Sequence, residues 1–263
     1  MTTPTLGARL RRWRRLLGAG AWTAACYPVW ALGALATLPS RTASRRWNSG
    51  VIRTWTRGLA AILGVRVRVD GPTPARPFFL VSNHLSYVDV LVLGSALGAT
   101  FVSKHDIARW PVVGHLARVT GTIFVDRGRR RDAVRVLGEI NRAFHEGAGI
   151  VLFPEGTSSR GDRVYPLKSA LLEWAAQSGR PVHVAALHYV TGDPDLPAED
   201  AVNWWGDAGF GPHASRLLTL RRIEARLAFS PHPIHEADRT MLAERLHAEM
   251  TSRYAGARGP DAG

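Results

Sequence analysis

The residues best suited to chemistry lie in the segment Val81-Ser82-Asn83-His84-Leu85-Ser86-Tyr87-Val88-Asp89. An apolar run ends at Val81, a polar turn follows, and Ser86 with Asp89 three positions later has the pattern of a capping box that opens a helix. This puts His84 on the turn and Asp89 in the first helical turn, from which its carboxylate can reach back to the imidazole. A histidine oriented through one ring nitrogen keeps the other free to take a proton from an alcohol. No separate nucleophile is needed if the substrate brings the hydroxyl. In the competing reading Asp89 only caps the helix and His84 is a polar loop residue.

Two more apolar runs end in groups of matching chemistry. Gly121-Thr122-Ile123-Phe124-Val125-Asp126-Arg127 finishes in an arginine, with Arg129, Arg130 and Arg131 close behind. Phe153-Pro154-Glu155-Gly156-Thr157 finishes with an acid in a tight turn, followed by Arg160 and Lys168. Arg127 can hold a phosphate bidentately, and Glu155 can accept a hydrogen bond from a second substrate hydroxyl or pair with that arginine. The basic run at 129–131 either attracts an anionic substrate or is a solvated helix start. Other chemistries lack their signatures: there is no Gly-x-Ser-x-Gly, Walker loop or His-Glu-x-x-His, and no Gly-x-Gly-x-x-Gly after a strand. Cys26 is the single cysteine, which excludes an internal disulfide and dithiol redox chemistry. His232 and His235 stand in a Pro-rich turn and read as solvated rather than metal-binding.

The elements that must position these groups alternate. Strands are predicted at 65–69, 78–81, 100–102, 122–125, 150–153, 182–189 and 223–229, and helices at 86–97, 132–146, 168–177 and 237–254. That alternation specifies an α/β layered domain, whose sites collect at strand ends. The stretch 191–200, with two prolines and four acids, reads as a surface loop. Trp204 and Trp205 read as packed against the domain, with contact to an acyl chain as the alternative.

On these residues the sequence resembles the lysophospholipid acyltransferase family, from about residue 78 to residue 189. The family's Asn-His-x4-Asp motif is matched by Asn83, His84 and Asp89, its Gly-x-x-Phe-x-x-Arg motif by Gly121, Phe124 and Arg127, and its Phe-Pro-Glu-Gly-Thr motif by residues 153–157. Three motifs in order, each at a predicted strand end, make the likeness specific. The resemblance implies a mixed, mostly parallel sheet flanked by helices. It also implies transfer of a fatty acyl group from acyl-CoA or acyl carrier protein onto the free hydroxyl of lysophosphatidate. His84 would be the general base, Asp89 its orienting partner, and Lys104, Arg127, Glu155, Gly156, Thr157 and Arg160 would bind the acceptor. Donors to the tetrahedral oxyanion are expected among backbone N–H groups, near the Glu155 turn or at the helix start after His84. No metal or bound cofactor is implied.

Two departures from the family pattern matter. Ser158 stands where the family commonly has arginine, with Arg160 nearby, and the fourth motif reads Pro181-Val182-His183-Val184. The first keeps open another lysolipid acceptor, such as the phosphate-free lyso-ornithine lipid. A non-catalytic membrane-binding protein of the same fold is the remaining alternative.

Composition bounds the rest. The chain has 263 residues, 46% hydrophobic and 21% charged, as globular proteins do. Its formal charge of +13 is carried by the N-terminus: no acid precedes Asp70, whereas twelve arginines do. The remaining 22 basic and 21 acidic residues leave the body nearly neutral, which sets nucleic-acid binding aside. Residues 16–40 are uncharged and flanked by arginines. As a helix they would reach roughly 37 Å, enough to cross a hydrocarbon core of about 30 Å. Pro28 would kink such a helix, so a bent or re-entrant insertion competes with a straight span, and a cleaved signal peptide is a third reading. Residues 45–63 read as an amphipathic helix with Trp47, Val51, Trp55, Leu59 and Ile62 on one face. That face suits the headgroup zone of an anionic membrane, packing on the domain, or both. The expected organisation is a membrane-associated helical segment (1–64), an acyltransferase domain (65–255) and a frayed tail (256–263). It would sit at the cell membrane with the catalytic domain on the cytoplasmic side.

Overall fold

Apolar runs without alternation, such as Phe78-Phe79-Leu80-Val81, belong to strands covered on both faces. They form the centre of a seven-stranded sheet in the computed structural model, which describes residues 5–126, 130–192 and 194–258. The strands are β1 (Val65–Asp70), β2 (Phe78–Ser82), β3 (Thr100–Lys104), β4 (Ile123–Val125), β5 (Gly149–Leu152), β6 (Val182–Thr191) and β7 (Ile223–Phe229). Each lies within two residues of its predicted bounds. Their order is β1-β7-β6-β2-β5-β3-β4, and every neighbouring pair is parallel except β6 with β7. Because β2, β5, β3 and β4 are parallel neighbours, their carboxyl ends share one edge. The turns bearing His84 and Glu155 leave adjacent strands there, and Lys104 ends the next.

The helices are α1 (Leu6–Ala36), α2 (Arg41–Leu63), α3 (Val88–Leu97), α4 (Val113–Val119), α5 (Arg130–His145), α6 (Glu173–Ser178), α7 (Ala198–Ala201), α8 (Phe210–Leu217) and α9 (Arg239–Arg258). The helix predicted at 168–177 divides into a 3₁₀ turn, Ser169–Leu172, and α6. The loop predicted at 191–200 ends in the first residues of α7. Short elements outside the sequence reading, α4, α8 and the 3₁₀ turn His105–Arg109, lie between β3 and β4 or after the strap at 203–205.

The N-terminal segment corrects the sequence expectation in three ways. First, α1 continues through Pro28 and then turns at 37–40, so that α2 returns against it as a helical hairpin. No helix among the described residues is long and apolar enough to cross a membrane. Second, the tryptophans close the hairpin. Trp22 Nε1 donates to the Trp55 carbonyl (3.0 Å), Trp55 Nε1 to Thr23 Oγ1 (3.0 Å), Trp30 Nε1 to Asn48 Oδ1 (3.1 Å) and Trp47 Nε1 to the Trp30 carbonyl (3.1 Å). Their rings lie against glycines on the opposite helix: a Cβ at Gly33 would fall 1.9 Å from the Trp47 ring, and one at Gly58 2.2 Å from that of Trp22. The two helices interlock through glycine and tryptophan, one such contact facing each way.

Third, much of the arginine run binds protein. Arg15 is only 4% exposed; its guanidinium donates to the carbonyls of Leu218, Leu220 and Arg221, while Arg11 donates to that of Thr219 and Arg12 to Ser215 Oγ. These carbonyls belong to the turn between α8 and β7, just beyond the helix C-terminus, where cations also complement the helix dipole. Burial, with Arg11 and Arg14 nearby, lowers the Arg15 pKa to about 10, which leaves it charged at neutral pH. On α2, Ile52, Thr56, Leu59 and Ala60 are buried toward the domain, and Arg45 pairs with Glu146 at 2.9 Å.

Candidate active site

The site is built where β2 ends. Asn83 is buried, and its side-chain amide grips one residue of the neighbouring strand: Nδ2 donates to the Leu187 carbonyl at 2.8 Å, and Oδ1 accepts from the Leu187 N–H at 2.7 Å. The next residue, His84, is therefore held at the mouth. Its Nδ1 lies 2.7 Å from Asp89 Oδ2, and its ring stacks on Phe153 with centroids 4.2 Å apart. Asp89 is fully buried at the start of α3, and Oδ2 also accepts from the backbone N–H groups of Leu85 (2.7 Å) and Ser86 (3.0 Å). A carboxylate accepts only, so Nδ1 carries the proton and Nε2 presents its lone pair. Nε2 has no hydrogen-bond partner among the described residues, and the side chain is 23% exposed.

The capping box is half formed. The Asp89 carboxylate reaches back as expected, but α3 begins at Val88 and the buried Ser86 hydroxyl has no partner among the described residues. Asp89 thus combines the two readings, securing the turn through backbone donors while holding the imidazole.

Glu155 faces inward. It is 2% exposed, with Oε1 accepting from the His84 N–H (2.9 Å) and Oε2 from the Tyr165 N–H (3.2 Å). Both oxygens are engaged by the protein's own backbone, which corrects the expectation that Glu155 reaches a substrate hydroxyl or an arginine. It ties the His84 turn to the loop at Tyr165. Gly156 follows in the left-handed conformation (φ 79°), which favours glycine, and Thr157 is exposed. Ser158 Oγ donates to the Trp204 carbonyl, and the exposed Arg160 lies over the Trp205 ring at 5.5 Å. Lys104 is exposed and without an ion pair among the described residues. Arg127 and Arg129 lie outside the described residues, as do the side chains of Arg130 and Arg131. His84 contacts both Asp89, through its ring, and Glu155, through its backbone N–H; neither Arg160 nor Lys104 bonds to any of the three. Among the described residues there is no cluster of His, Cys, Asp and Glu fit for a metal.

Comparison with known proteins identifies the family. Residues 65–188 match the Acyltransferase family model. A lyso-ornithine lipid O-acyltransferase of Rhizobium meliloti (strain 1021) is 34% identical over 231 residues, covering 81% of this chain and 77% of the relative. The chain belongs to the lysophospholipid acyltransferase family. A 1-acyl-sn-glycerol-3-phosphate acyltransferase of Neisseria meningitidis serogroup B is 27% identical to this acyltransferase over 175 residues, covering 66% and 68% of the two chains. The crystal structure of the 1-acyl-sn-glycerophosphate acyltransferase PlsC from Thermotoga maritima superposes with a TM-score of 0.68 at 18% identity, covering 96% of this chain and 100% of that one. At that identity the likeness is one of fold, and its coverage takes in the N-terminal helices as well as the sheet.

The strap at 203–205 packs on the domain through Trp204, as the sequence suggests, while sequence reasoning misses the residue that completes the Asp89 carboxylate. The strap crosses beside the His84 turn: Trp204 N–H donates to the Leu85 carbonyl (2.7 Å), and the Trp204 ring joins Tyr87, Trp110 and Phe210 in an aromatic cluster. The other residue is Tyr189 on β6, whose hydroxyl donates to Asp89 Oδ1 at 2.8 Å. Separated from Asp89 by 100 positions, it reads in sequence as one more apolar strand residue.

Glu155 also gives the acyltransferase a pH signature. Burial pushes its carboxyl from the ordinary 4.5 up to about 8, opposed by its two backbone donors and reinforced by the charge of Asp89. With a folded pKa above the unfolded one, the native state binds more protons between those values. Stability therefore declines as pH rises from about 4.5 to about 8. Melting temperatures across that window should fall for wild type and flatten for Glu155→Gln; parallel curves would show that Glu155 does not titrate there.

Proposed function

We propose that the protein acylates the free hydroxyl of a lyso-ornithine lipid, using acyl-CoA or acyl carrier protein as donor. The observation that carries the chemistry is the His84–Asp89 contact with Nε2 unpartnered at the mouth. In this reading Nε2 takes the proton of the acceptor hydroxyl as its oxygen attacks the thioester carbonyl. Asp89 steadies the resulting imidazolium. Collapse of the tetrahedral intermediate breaks the carbon–sulfur bond, and the departing thiolate recovers the proton from His84. The N–H groups of Leu85 and Ser86 are occupied by Asp89 and that of His84 by Glu155. The N–H groups of Thr157 and Ser158 in the Glu155 turn, like that of Tyr87 at the helix start, have no partner among the described residues and are the candidate donors for the oxyanion.

The acceptor follows from Ser158 and the company the sequence keeps. Where the family commonly has arginine, this chain has a hydroxyl occupied by the Trp204 carbonyl, and Arg160 lies against Trp205. A zwitterionic headgroup asks less of such a site than a phosphate does, and the Rhizobium meliloti relative is named for lyso-ornithine lipid. Lysophosphatidate is the second reading, favoured by Arg127 in the matched motif. Loss of one charged partner of a phosphate is worth about 1.5–3 kcal/mol, or roughly tenfold to 150-fold. Purified protein offered labelled donor with each acceptor should therefore favour lyso-ornithine lipid by at least about tenfold in specificity constant. Equal use would overturn that preference, and transfer to no lysolipid would leave the non-catalytic alternative.

Membrane contact belongs to the same proposal. The outward face of α1 carries exposed Leu6, Leu10, Trp13, Leu17, Leu32 and Leu35, with Arg9 and Arg14 beside them. Lysolipid and product both partition into bilayer, and an apolar helix face flanked by exposed arginines suits an anionic leaflet. The donor thioesters are cytosolic, so the leaflet is the cytoplasmic one.

A further inference from the structure

Three of the four donors to the Asp89 carboxylate converge on one of its two oxygens. Oδ2 receives His84 Nδ1 and the N–H groups of Leu85 and Ser86. Among the described residues Oδ1 receives only the Tyr189 hydroxyl, at 2.8 Å. An aspartate is free to swivel about its last bond, whose two-fold well is broad. Without a partner on Oδ1 that rotation would loosen the plane in which the carboxylate meets the imidazole, while its three donors keep Oδ2 facing the ring.

We propose that Tyr189 is a positioning residue for the reaction, fixing the plane of the Asp89 carboxylate and, through it, the ring of His84. The inference rests on the acyl-transfer reading above.

The fold supplies the precision such a role needs. Tyr189 is 1% exposed, and β6 runs past the end of β2: Ser82 pairs with Ala185, so Tyr189 lies level with the turn that follows β2. On its other side Tyr189 pairs with Ala225 of β7. The Asn83 clamp on Leu187 then sets the height of the His84 turn against Tyr189, since both grips fall on one strand two residues apart. Four donors saturate the carboxylate in a setting where water cannot substitute for a lost one. Tyr189 remains a donor at all working pH values, because burial first, and then the charge and hydrogen bond of Asp89, push its hydroxyl well above 10. The other titratable groups around the pair are Glu155, across the His84 turn, and Tyr87, at the start of α3.

Tyr189→Phe keeps the ring and removes only the hydroxyl. We expect kcat to fall on the order of tenfold, with KM for donor and acceptor nearly unchanged, since the misplaced group is the base and not a binding contact. Removing a donor leaves more negative charge facing the imidazole, so the acid limb of the kcat/KM profile should move to higher pH. Site-specific 3-fluorotyrosine at position 189, nearly isosteric and a stronger donor, should move that limb the opposite way. It decides the matter even if Tyr189→Phe folds poorly. In an Asp89→Asn background, loss of the hydroxyl should cost little further. A tyrosine that merely fills the core would lower the melting temperature of Tyr189→Phe and leave kcat and both pH profiles at wild type, which would overturn the proposal. Full activity in His84→Ala would instead remove the underlying reading of His84 as the base, and transfer to no lysolipid by wild type would remove the acyl-transfer reading itself.

Discussion

His84→Ala is expected to lower acyl transfer by roughly 10²- to 10⁴-fold, the range over which a positioned base normally contributes. The fold should survive the change. The side chain is 23% exposed, and what ties the turn together is the residue's backbone, which donates to Glu155 and accepts from Ser159. Alanine keeps both bonds. Asp89→Asn should also reduce turnover, because the amide oxygen can replace only one carboxylate oxygen and carries no charge to balance an imidazolium. The double variant should be scarcely worse than His84→Ala alone, since the two residues act as one unit. Wild-type rates in His84→Ala, or full multiplicativity of the two losses, would rule the base mechanism out.

The second large effect concerns the outer face of α1. Leu10, Leu17 and Leu32 are 69%, 68% and 69% exposed, so replacing them alters no packing inside the hairpin. Burying each in lipid contributes about 1.5–3 kcal/mol, and the three together therefore correspond to roughly 10³-fold or more in partitioning. The triple variant Leu10→Glu, Leu17→Glu, Leu32→Glu should accordingly leave anionic liposomes in a flotation assay, with its melting temperature close to wild type. High salt should not release the wild-type chain, because apolar burial is not screened. Quantitative release of wild type by salt would mean that attachment rests on the exposed arginines alone. Deleting the whole segment is a poorer test, since Ile52 and Leu59 of α2 belong to the buried interior.

Much of this architecture is legible in the sequence because it is repetitive. Uninterrupted β-branched and aromatic runs such as 78–81 and 150–153 can be satisfied only by covered strands, and the turn after each carries its polar groups in a fixed order. The His84–Asp89 contact is legible for the same reason: both partners belong to one turn and its helix. Tyr189 is not, since a hydroxyl that serves another element 100 residues away leaves no local trace. Arg15 illustrates the converse. In sequence it is one of a basic run beside an apolar one, which suits a lipid surface, and only the placement of residues 218–221 reveals that its guanidinium is enclosed by carbonyls. Glu155 likewise reads as a ligand until its two oxygens are seen on backbone donors. Charged residues announce that they need a partner without naming it.

The arginines of α1 and the first strand find their partners near the end of the chain. β1 is hydrogen-bonded to β7 alone, and Arg11 and Arg15 close on carbonyls at 218–221. The hairpin, by contrast, closes on itself through its own tryptophans and glycines. During synthesis it can meet α3, against which α2 packs, within about 35 residues, whereas the carbonyls that hold Arg11 and Arg15 follow roughly 150 residues after the hairpin, on the order of ten seconds later at ordinary elongation rates. Over that interval the Leu-rich outer face of α1 stays exposed on the nascent chain beside arginines that have not yet met their carbonyls. The arginine end of α1 is thus among the last parts to be locked down, and a ribosome stalled before residue 218 would carry a hairpin held through α2 but with the carbonyls for Arg11 and Arg15 yet to be translated.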